Sequence, residues 1–168
     1  MTRRTEVDAF ERFFLGEHPK LVALGLAWTG NPDTARELAQ EALVRAYRSW
    51  DRVADLDIPG AWVRRVMLNL LIDARRGEQR TVTLRDRLGA PSSQAGADSL
   101  GDIDDRWWRA VRALPDRERA AVTLHYLEDL PIAEVAEILE VAPGTVKSSL
   151  SHARQKLRIA LTTSEDER

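Results

Sequence analysis

Apolar residues recur at three- and four-residue spacing in several stretches of the chain, which is the pattern of amphipathic helices. One such stripe follows Asn31-Pro32, a helix-start signal with Asn at the cap and Pro at the first position, and runs from Leu38 to Trp50. A second stripe covers 61–74, and an earlier helix is predicted over 7–28, with a break near Pro19 left open. Because no alternating strand pattern of useful length is present, the sequence predicts an all-α fold.

The C-terminal part of the chain has the pattern of a helix-turn-helix. One helix is predicted over 114–127 and a short one over 132–139, where the small Ala136 suits a close helix crossing. A turn at 140–143 then precedes a long basic helix whose predicted buried positions, spaced 4, 3 and 4, are Val146, Leu150, Ala153 and Leu157. Such a second helix enters the DNA major groove, although an amphipathic basic helix could also be a solvated helix of an ordinary bundle.

The composition changes once along the chain, between 89 and 101, where ten of thirteen residues are Gly, Ala, Ser or Pro. This composition is typical of a flexible linker. With the aperiodic residues around it, the segment predicts two small helical domains, 1–76 and 106–161, joined by a flexible linker at 77–105. A polar tail follows at 162–168.

The net charge of −2 conceals two basic stretches. Residues 61–80 contain five arginines against two acids, and residues 145–158 contain four basic residues and no acid. Acidic residues concentrate elsewhere, on 33–41 and 98–105. We therefore expect two surfaces that face phosphate and others that face a basic partner.

Several chemistries are disfavoured by what the sequence lacks. The chain has no cysteine, which excludes disulfides, thiolate zinc sites and cysteine nucleophiles. Its three histidines form no metal-binding motif and no Gly-rich phosphate loop is present, so we expect neither a metal, nor a cofactor, nor an enzyme. No signal peptide or membrane-spanning run is recognised, which predicts a cytoplasmic protein.

Three segments, in this order, resemble the extracytoplasmic-function sigma factors, small bacterial initiation factors built from sigma domains two and four. The first is DTARELAQEALVRAYRSWDRV, similar to the core-binding helix of domain two, and the second is PGAWVRRVMLNLLIDARR, similar to its promoter-melting helix. The third, which resembles domain four almost throughout, is LPDRERAAVTLHYLEDLPIAEVAEILEVAPGTVKSSLSHARQKL. The resemblance implies binding to core RNA polymerase, on the clamp of the largest subunit and the flap of the second-largest. It also implies promoter DNA as a partner, and the family allows an anti-sigma factor as another.

The resemblance assigns three sets of site residues. Those for the polymerase clamp are Asp33, Glu37, Gln40, Glu41 and Arg45. Those for the minus-ten DNA element are Arg64, Arg65, Asn69, Asp73, Arg75 and Arg76, with Arg64 and Arg75 expected on phosphates. Those for the minus-thirty-five element, expected to be exposed on the basic helix, are Thr145, Lys147, Ser148, Ser149, Ser151, His152, Arg154 and Lys156.

The chain also departs from the family pattern. Leu68 stands where the family often has Arg, and Ser149, Ser151 and His152 replace more basic recognition residues, which predicts weaker nonspecific DNA affinity. Two other function classes fit parts of the sequence: a dimeric helix-turn-helix regulator, and a protein that mimics a sigma factor to sequester a partner. The first does not need the basic helix and acidic face of the N-terminal part. The second does not need the basic DNA-facing stripes.

Overall fold

The structure, a computed structural model, describes residues 3–89 and 102–163, with side chains from Arg4 and from Asp105 onward. Every regular element in these two ranges is helical, which confirms the predicted all-α fold. The helices are α1 (Arg3–Thr29), α2 (Pro32–Arg48), α3 (Trp50–Val53), α4 (Pro59–Leu88), α5 (Asp102–Ala113), α6 (Asp116–Val122), α7 (Ile132–Leu139) and α8 (Pro143–Thr163), with a π-helical turn at Thr123–Leu127 between α6 and α7.

The start of α2 is set by the predicted cap. The Asn31 side chain accepts hydrogen bonds from the backbone N–H groups of Asp33, at 2.9 Å, and Thr34, at 3.1 Å. These bonds satisfy two of the donors that a helix start leaves free, and Pro32 follows at the first position. The helix before it, α1, is continuous through Pro19, so the alternative of a break there is wrong.

Gly25, which has no side chain, lets the first, second and fourth helices pack closely. A Cβ atom on Gly25 would lie 2.8 Å from the Met67 side chain of α4 and 3.0 Å from Ala35 of α2. Leu21, Leu24 and Met67 are fully buried around this crossing. The crossing therefore places the exposed faces of α2 and α4 on one rigid body.

The predicted helix-turn-helix is confirmed in α7 and α8. Helix α7 ends at Leu139 and is capped by Glu140, which takes a left-handed φ of 55°; the N–H of Val141 donates back to the carbonyl of Ala136 at 3.1 Å. All four predicted positions of α8 are buried, as is Ala136. The single helix predicted over 114–127 is instead α6 followed by the π-helical turn, which the apolar spacing did not indicate.

Helix α4 is longer than the sequence predicted. The segment 77–105 was expected to be a flexible linker, but the helix continues through it as far as Leu88 and closes at Gly89, whose φ is 67°. The residues from 76 to 89 are all exposed, so they have no apolar stripe from which a helix could have been predicted. Residues 90–101 of the expected linker, and part of the expected tail, lie outside the described residues. The domain limits therefore remain predictions.

The part before Gly89 and the part after 102 pack against each other, and we call their interface the junction. Its centre is Trp28 of α1, which is 4 % exposed and donates through Nε1 to the Thr123 hydroxyl at 3.2 Å. The Arg119 guanidinium of α6 lies over the Trp28 ring, 4.9 Å from its centroid, in cation–π contact. Buried residues on both sides of the junction form one apolar cluster.

Candidate polymerase and nucleic-acid interfaces

The first set of predicted site residues forms one outward face of α2. Asp33, Glu37 and Gln40 are exposed, while the alanines on the opposite face of the helix are buried. Two pairs hold this face in place: Arg36 with Asp33 at 2.9 Å, and Arg45 with Glu41 at 2.8 Å. Because Glu37 and Gln40 have no such partner among the described residues, the face presents free acceptors to a basic surface. The expected acidic face is present, and its role remains a prediction.

Half of the predicted minus-ten residues lie on an open face of α4. Asn69, Asp73 and Arg76 are exposed, at the spacing that places them along one side of the helix. A groove of about 310 Å³ runs beside this side and is also lined by Arg117 from α6. An amide and arginine side chains next to an open groove provide donors for base edges and phosphates.

Arg64 is different, because it is buried in the packed arrangement and does not face solvent where a phosphate could be met. The residue is only 5 % exposed and is bonded on both sides by carboxylates. Its Nη1 lies 2.8 Å from Glu17 of α1, and its Nε donates to Glu128, beyond the π-helical turn. Gly60 makes room for this arrangement, since a Cβ there would come within 2.6 Å of the guanidinium. In the packed arrangement Arg64 is therefore a buried bridge across the junction and is not available to DNA.

Arg65 and Arg75 also reach across the junction. Arg65 donates to the backbone carbonyls of Glu137, at 2.6 Å, and Ile138, at 3.1 Å, and pairs with Glu140 at 3.0 Å. These acceptors are at the C-terminal end of α7, where a cation is favoured by the helix dipole. Arg75 contacts Asp116 and the Leu114 carbonyl. In this arrangement, neither of these two arginines is available to DNA.

Burial dominates the electrostatics of the junction. It raises the pKa of Glu128, and the neighbouring Arg64 offsets this only in part. One oxygen of that carboxylate has no hydrogen-bond partner among the described residues, which also favours its protonated form. Burial and the nearby Arg75 lower the pKa of Arg119 to about 10, so that side chain stays charged at neutral pH.

The basic helix α8 presents most, but not all, of its predicted residues. Lys147, Ser148, Ser151 and His152 are exposed, whereas Thr145 is half-buried. The prediction that Ser149 is exposed is wrong, because Ser149 is 6 % exposed and faces the domain core with Val146 and Ala153.

Two further cationic side chains of α8 form hydrogen bonds with other residues in the second part of the chain. Arg154 donates to the Tyr126 hydroxyl at 3.0 Å, and Lys156 donates to both oxygens of Glu118, at 2.8 and 2.9 Å. Each of these side chains is exposed despite its partner. They are therefore oriented rather than covered, and can still reach a phosphate.

Sequence reasoning missed the acceptors at the junction, above all Glu128, because they lie far along the chain from their partners. A signal for the position of Arg64 was available, however. It precedes the buried Met67 and Leu71 by three and seven residues, so it falls on the apolar side of its helix. The same argument applies to Ser149, which stands three residues after Val146 and four before Ala153.

Within the residues that the structure describes, no group of three or more histidine, aspartate or glutamate side chains could hold a metal ion. Nor does any helix in those ranges have the length and apolar character needed to cross a membrane.

Two family models match the chain. Sigma-70 region 2 matches residues 13–81, which include most of α1, all of α2 and α3, and most of α4. Sigma-70 region 4 matches residues 104–157, which include the helix-turn-helix. Together they cover more than half of the chain. A match in both parts disfavours a stand-alone helix-turn-helix regulator, which has no use for region 2.

Named relatives and solved structures agree with these matches. The chain is 32 % identical over 157 residues to the RNA polymerase sigma-E factor of Streptomyces avermitilis, covering 91 % of this chain and 85 % of the relative. It is 31 % identical over 159 residues to the ECF RNA polymerase sigma factor SigL of Mycobacterium tuberculosis, covering 91 % and 89 %. The fold is similar to the sigma factor RpoE of Bartonella quintana, solved in complex with the anti-sigma factor NepR, with a TM-score of 0.73, 25 % identity, and coverage of 92 % of this chain and 97 % of that one.

Proposed function

The chain belongs to the sigma-70 family as a sigma factor of the extracytoplasmic-function type, and we propose which of its surfaces contact the polymerase and which contact promoter DNA. Helix α2 docks on core RNA polymerase, α4 contacts the minus-ten element, and α8 contacts the minus-thirty-five element. The observation that carries this division is that one acidic and two basic faces lie on three different helices.

The acidic face of α2 is the polymerase-binding surface. Its carboxylates are exposed and are set on a helix whose other side is buried, so their geometry is fixed before a partner arrives. Opposite charges across an interface accelerate encounter and determine the binding register. We expect the clamp of the largest polymerase subunit to supply the complementary positive charge.

The exposed side of α4 contacts the minus-ten element. Asn69 can bond two edge atoms of an adenine, and Arg76 can bond either a guanine or a phosphate. Neither side chain has a partner among the described residues that would have to be displaced first. Asp73 lies between them in sequence and is free to orient either one.

The exposed side of α8 contacts the minus-thirty-five element in the major groove. Lys147, Ser148, Ser151 and His152 are near the N-terminal half of the helix, which is the part that reaches base edges in this motif. Arg154 and Lys156, one turn further on, supply phosphate contacts. Ser149 has no such role because it is buried.

Promoter binding through α4 requires the junction to open. Arg65 is bonded to the end of α7, and Arg75 is bonded to the start of α6, so both are occupied while the two parts of the chain are packed together. The two promoter elements lie on separate stretches of DNA, and binding energy from core polymerase and DNA can replace the contacts that opening breaks. The packed arrangement is thus the form of the free protein, before core polymerase binds.

The partners of the chain are core RNA polymerase and promoter DNA, which places its work in the cytoplasm. Its contribution is binding and positioning, and the polymerase carries out the catalysis. The likeness to a sigma factor that was solved with an anti-sigma factor supports a protein of that kind as a third partner. The flap of the second-largest polymerase subunit is the expected contact of the second part of the chain.

The test is association with core polymerase after charge reversal. The double substitution Glu37→Lys and Glu41→Lys should weaken binding at least tenfold in a quantitative pull-down. Glu11→Lys makes a matched control, because Glu11 is also exposed but lies on α1. Equal binding by the double variant and the control would contradict the assignment of α2.

A further inference from the structure

We propose that the exposed end of α4 extends the DNA interface, with Arg80 and Arg87 binding the phosphate backbone of duplex DNA next to the minus-ten element. The proposal rests on the proposed role of α4 in minus-ten recognition and adds a surface to it. Residues 82–88 of the helix lie beyond the end of the region 2 match at residue 81.

The first observation is that polar side chains of α4 are aligned along one side of the helix. At about 100° per residue, six polar side chains fall within about 40° of a single line along α4. They are Arg65, Asn69, Arg76, Arg80, Thr83 and Arg87. The line is about 33 Å long at 1.5 Å per residue, which is close to the ~34 Å of one turn of duplex DNA. The side that carries the proposed minus-ten contacts therefore continues without rotation into the end of the helix.

The second observation is that this side of the helix carries unpaired positive charges. Arg76, Arg80 and Arg87 are exposed, and none has an ion-pair partner among the described residues. The two acids of this segment, Glu78 and Asp86, lie about 160° and 80° away from the line at 100° per residue. Asp73, about 60° away, is the nearest acid on the helix. Unpaired arginines that outnumber the neighbouring carboxylates are the composition of a phosphate-binding surface.

The third observation is that this surface is free while the junction is closed. Arg65, at one end of the line, is covered by the end of α7. The residues from 76 to 89 are exposed, and no other part of the described chain buries them. The end of α4 can therefore meet DNA before the junction opens, through contacts that do not depend on base sequence.

Duplex DNA fits this surface better than a protein partner does. An extended row of arginines spaced over several turns matches a backbone that repeats its charge, with one phosphate per 3.4 Å on each strand. This row of arginines also lies in line with the residues of α4 that contact DNA in the proposed function. An acidic patch on the polymerase is the competing partner, and the experiment separates the two.

The experiment measures promoter binding by the holoenzyme as a function of salt. The promoter fragment is one that the wild-type holoenzyme transcribes, and the variants are Arg87→Gln and the double variant Arg80→Gln with Arg87→Gln. Arg85→Gln is the matched control, because Arg85 is on the same exposed turn but about 180° from the line. Glutamine preserves helix propensity, and circular dichroism verifies that the helix content is unchanged.

Between about 50 and 200 mM salt, the slope of log affinity against log salt should fall by about 0.9 for Arg87→Gln and about 1.8 for the double variant. It should not change for Arg85→Gln. The difference should disappear on a template that ends at the minus-ten element and so lacks the duplex next to it. Equal slopes for Arg87→Gln and Arg85→Gln would overturn the proposal, as would a loss of core-polymerase binding by the double variant. If the wild-type chain fails to direct the polymerase to any promoter, the proposed function fails instead.

Discussion

The guanidinium of Arg64, on α4, donates a hydrogen bond to the carboxylate of Glu128, which lies 64 residues further along the chain. The same guanidinium pairs with Glu17 of α1, so one buried cation joins three segments. Both side chains of the long-range pair are 6 % exposed. The pair therefore links the packing of the two sigma regions to α4, the helix proposed to contact the minus-ten element.

Removing the cation of this pair should destabilise the chain strongly. Arg64→Ala removes the ion-pair partner of the buried Glu128 carboxylate and leaves Glu17 paired only with Lys20, at 3.6 Å. Breaking a buried ion pair in this way costs about 3–5 kcal/mol. Urea unfolding of the purified protein measures the loss. Arg76→Ala, at an exposed position of the same helix, should change the free energy of unfolding by only about 0.5 kcal/mol. Equal losses in the two variants would show that Arg64 is not a buried bridge.

The pair also predicts a pH dependence. Because burial raises the pKa of Glu128 in the folded state, the folded chain holds that proton more tightly than the unfolded chain does. The contribution of this residue to stability is therefore full below the ordinary pKa of glutamate and is lost as the pH rises through the raised pKa. Subtracting the unfolding free energies of Glu128→Gln from those of the wild type, from pH 4 to pH 8, isolates this contribution. A difference that grows in favour of the wild type with rising pH would contradict the raised pKa.

The junction should open when core polymerase binds. The chain has no cysteine, so Glu11→Cys on α1 and Thr162→Cys on α8, both at exposed positions, allow a donor and an acceptor dye to be attached selectively. Energy transfer should fall on addition of core polymerase, because the junction contacts of Arg65 and Arg75 must separate. Transfer that stays unchanged in a complex active in transcription would exclude opening.

On α8, burial predicts opposite outcomes for two neighbouring residues. Lys147→Ala should weaken promoter binding by about 1–3 kcal/mol if the lysine reads a base and by less if it meets only a phosphate. Ser149→Ala should leave the preference for the minus-thirty-five sequence unchanged, because the serine is 6 % exposed. Competition binding with single-base variants of the element measures both. A changed base preference in Ser149→Ala would place that residue at the DNA after all.

The sequence was sufficient for the elements whose signals are local. The Asn31-Pro32 cap, the short helix α7 and the buried spacing of α8 all appear in the structure as predicted. In each case neighbouring residues determine the conformation: a side-chain acceptor at a helix start, or apolar residues on one face.

The features that the sequence did not predict depend on residues far along the chain, or on a helix surface that packs against none of the described residues. Two adjacent arginines, Arg64 and Arg65, look alike in sequence, and only the positions of Glu17, Glu128 and the end of α7 distinguish their surroundings. The end of α4 has no apolar stripe because none of the described residues buries it, so periodicity could not indicate a helix there. Its arginines, glutamine and leucines nonetheless favour a helix by intrinsic propensity.

The central claim is that the chain directs core polymerase to promoters through α2, α4 and α8, and run-off transcription with purified components tests it most directly. The assay uses core polymerase and a promoter taken from transcripts that rise on overexpression of the chain. We expect a transcript only when the chain is present, its loss with Glu37→Lys and Glu41→Lys, and a weaker transcript with Lys147→Ala. Glu11→Lys should transcribe as the wild type does. A transcript of equal strength without the chain, or from both binding-face variants, would contradict the account.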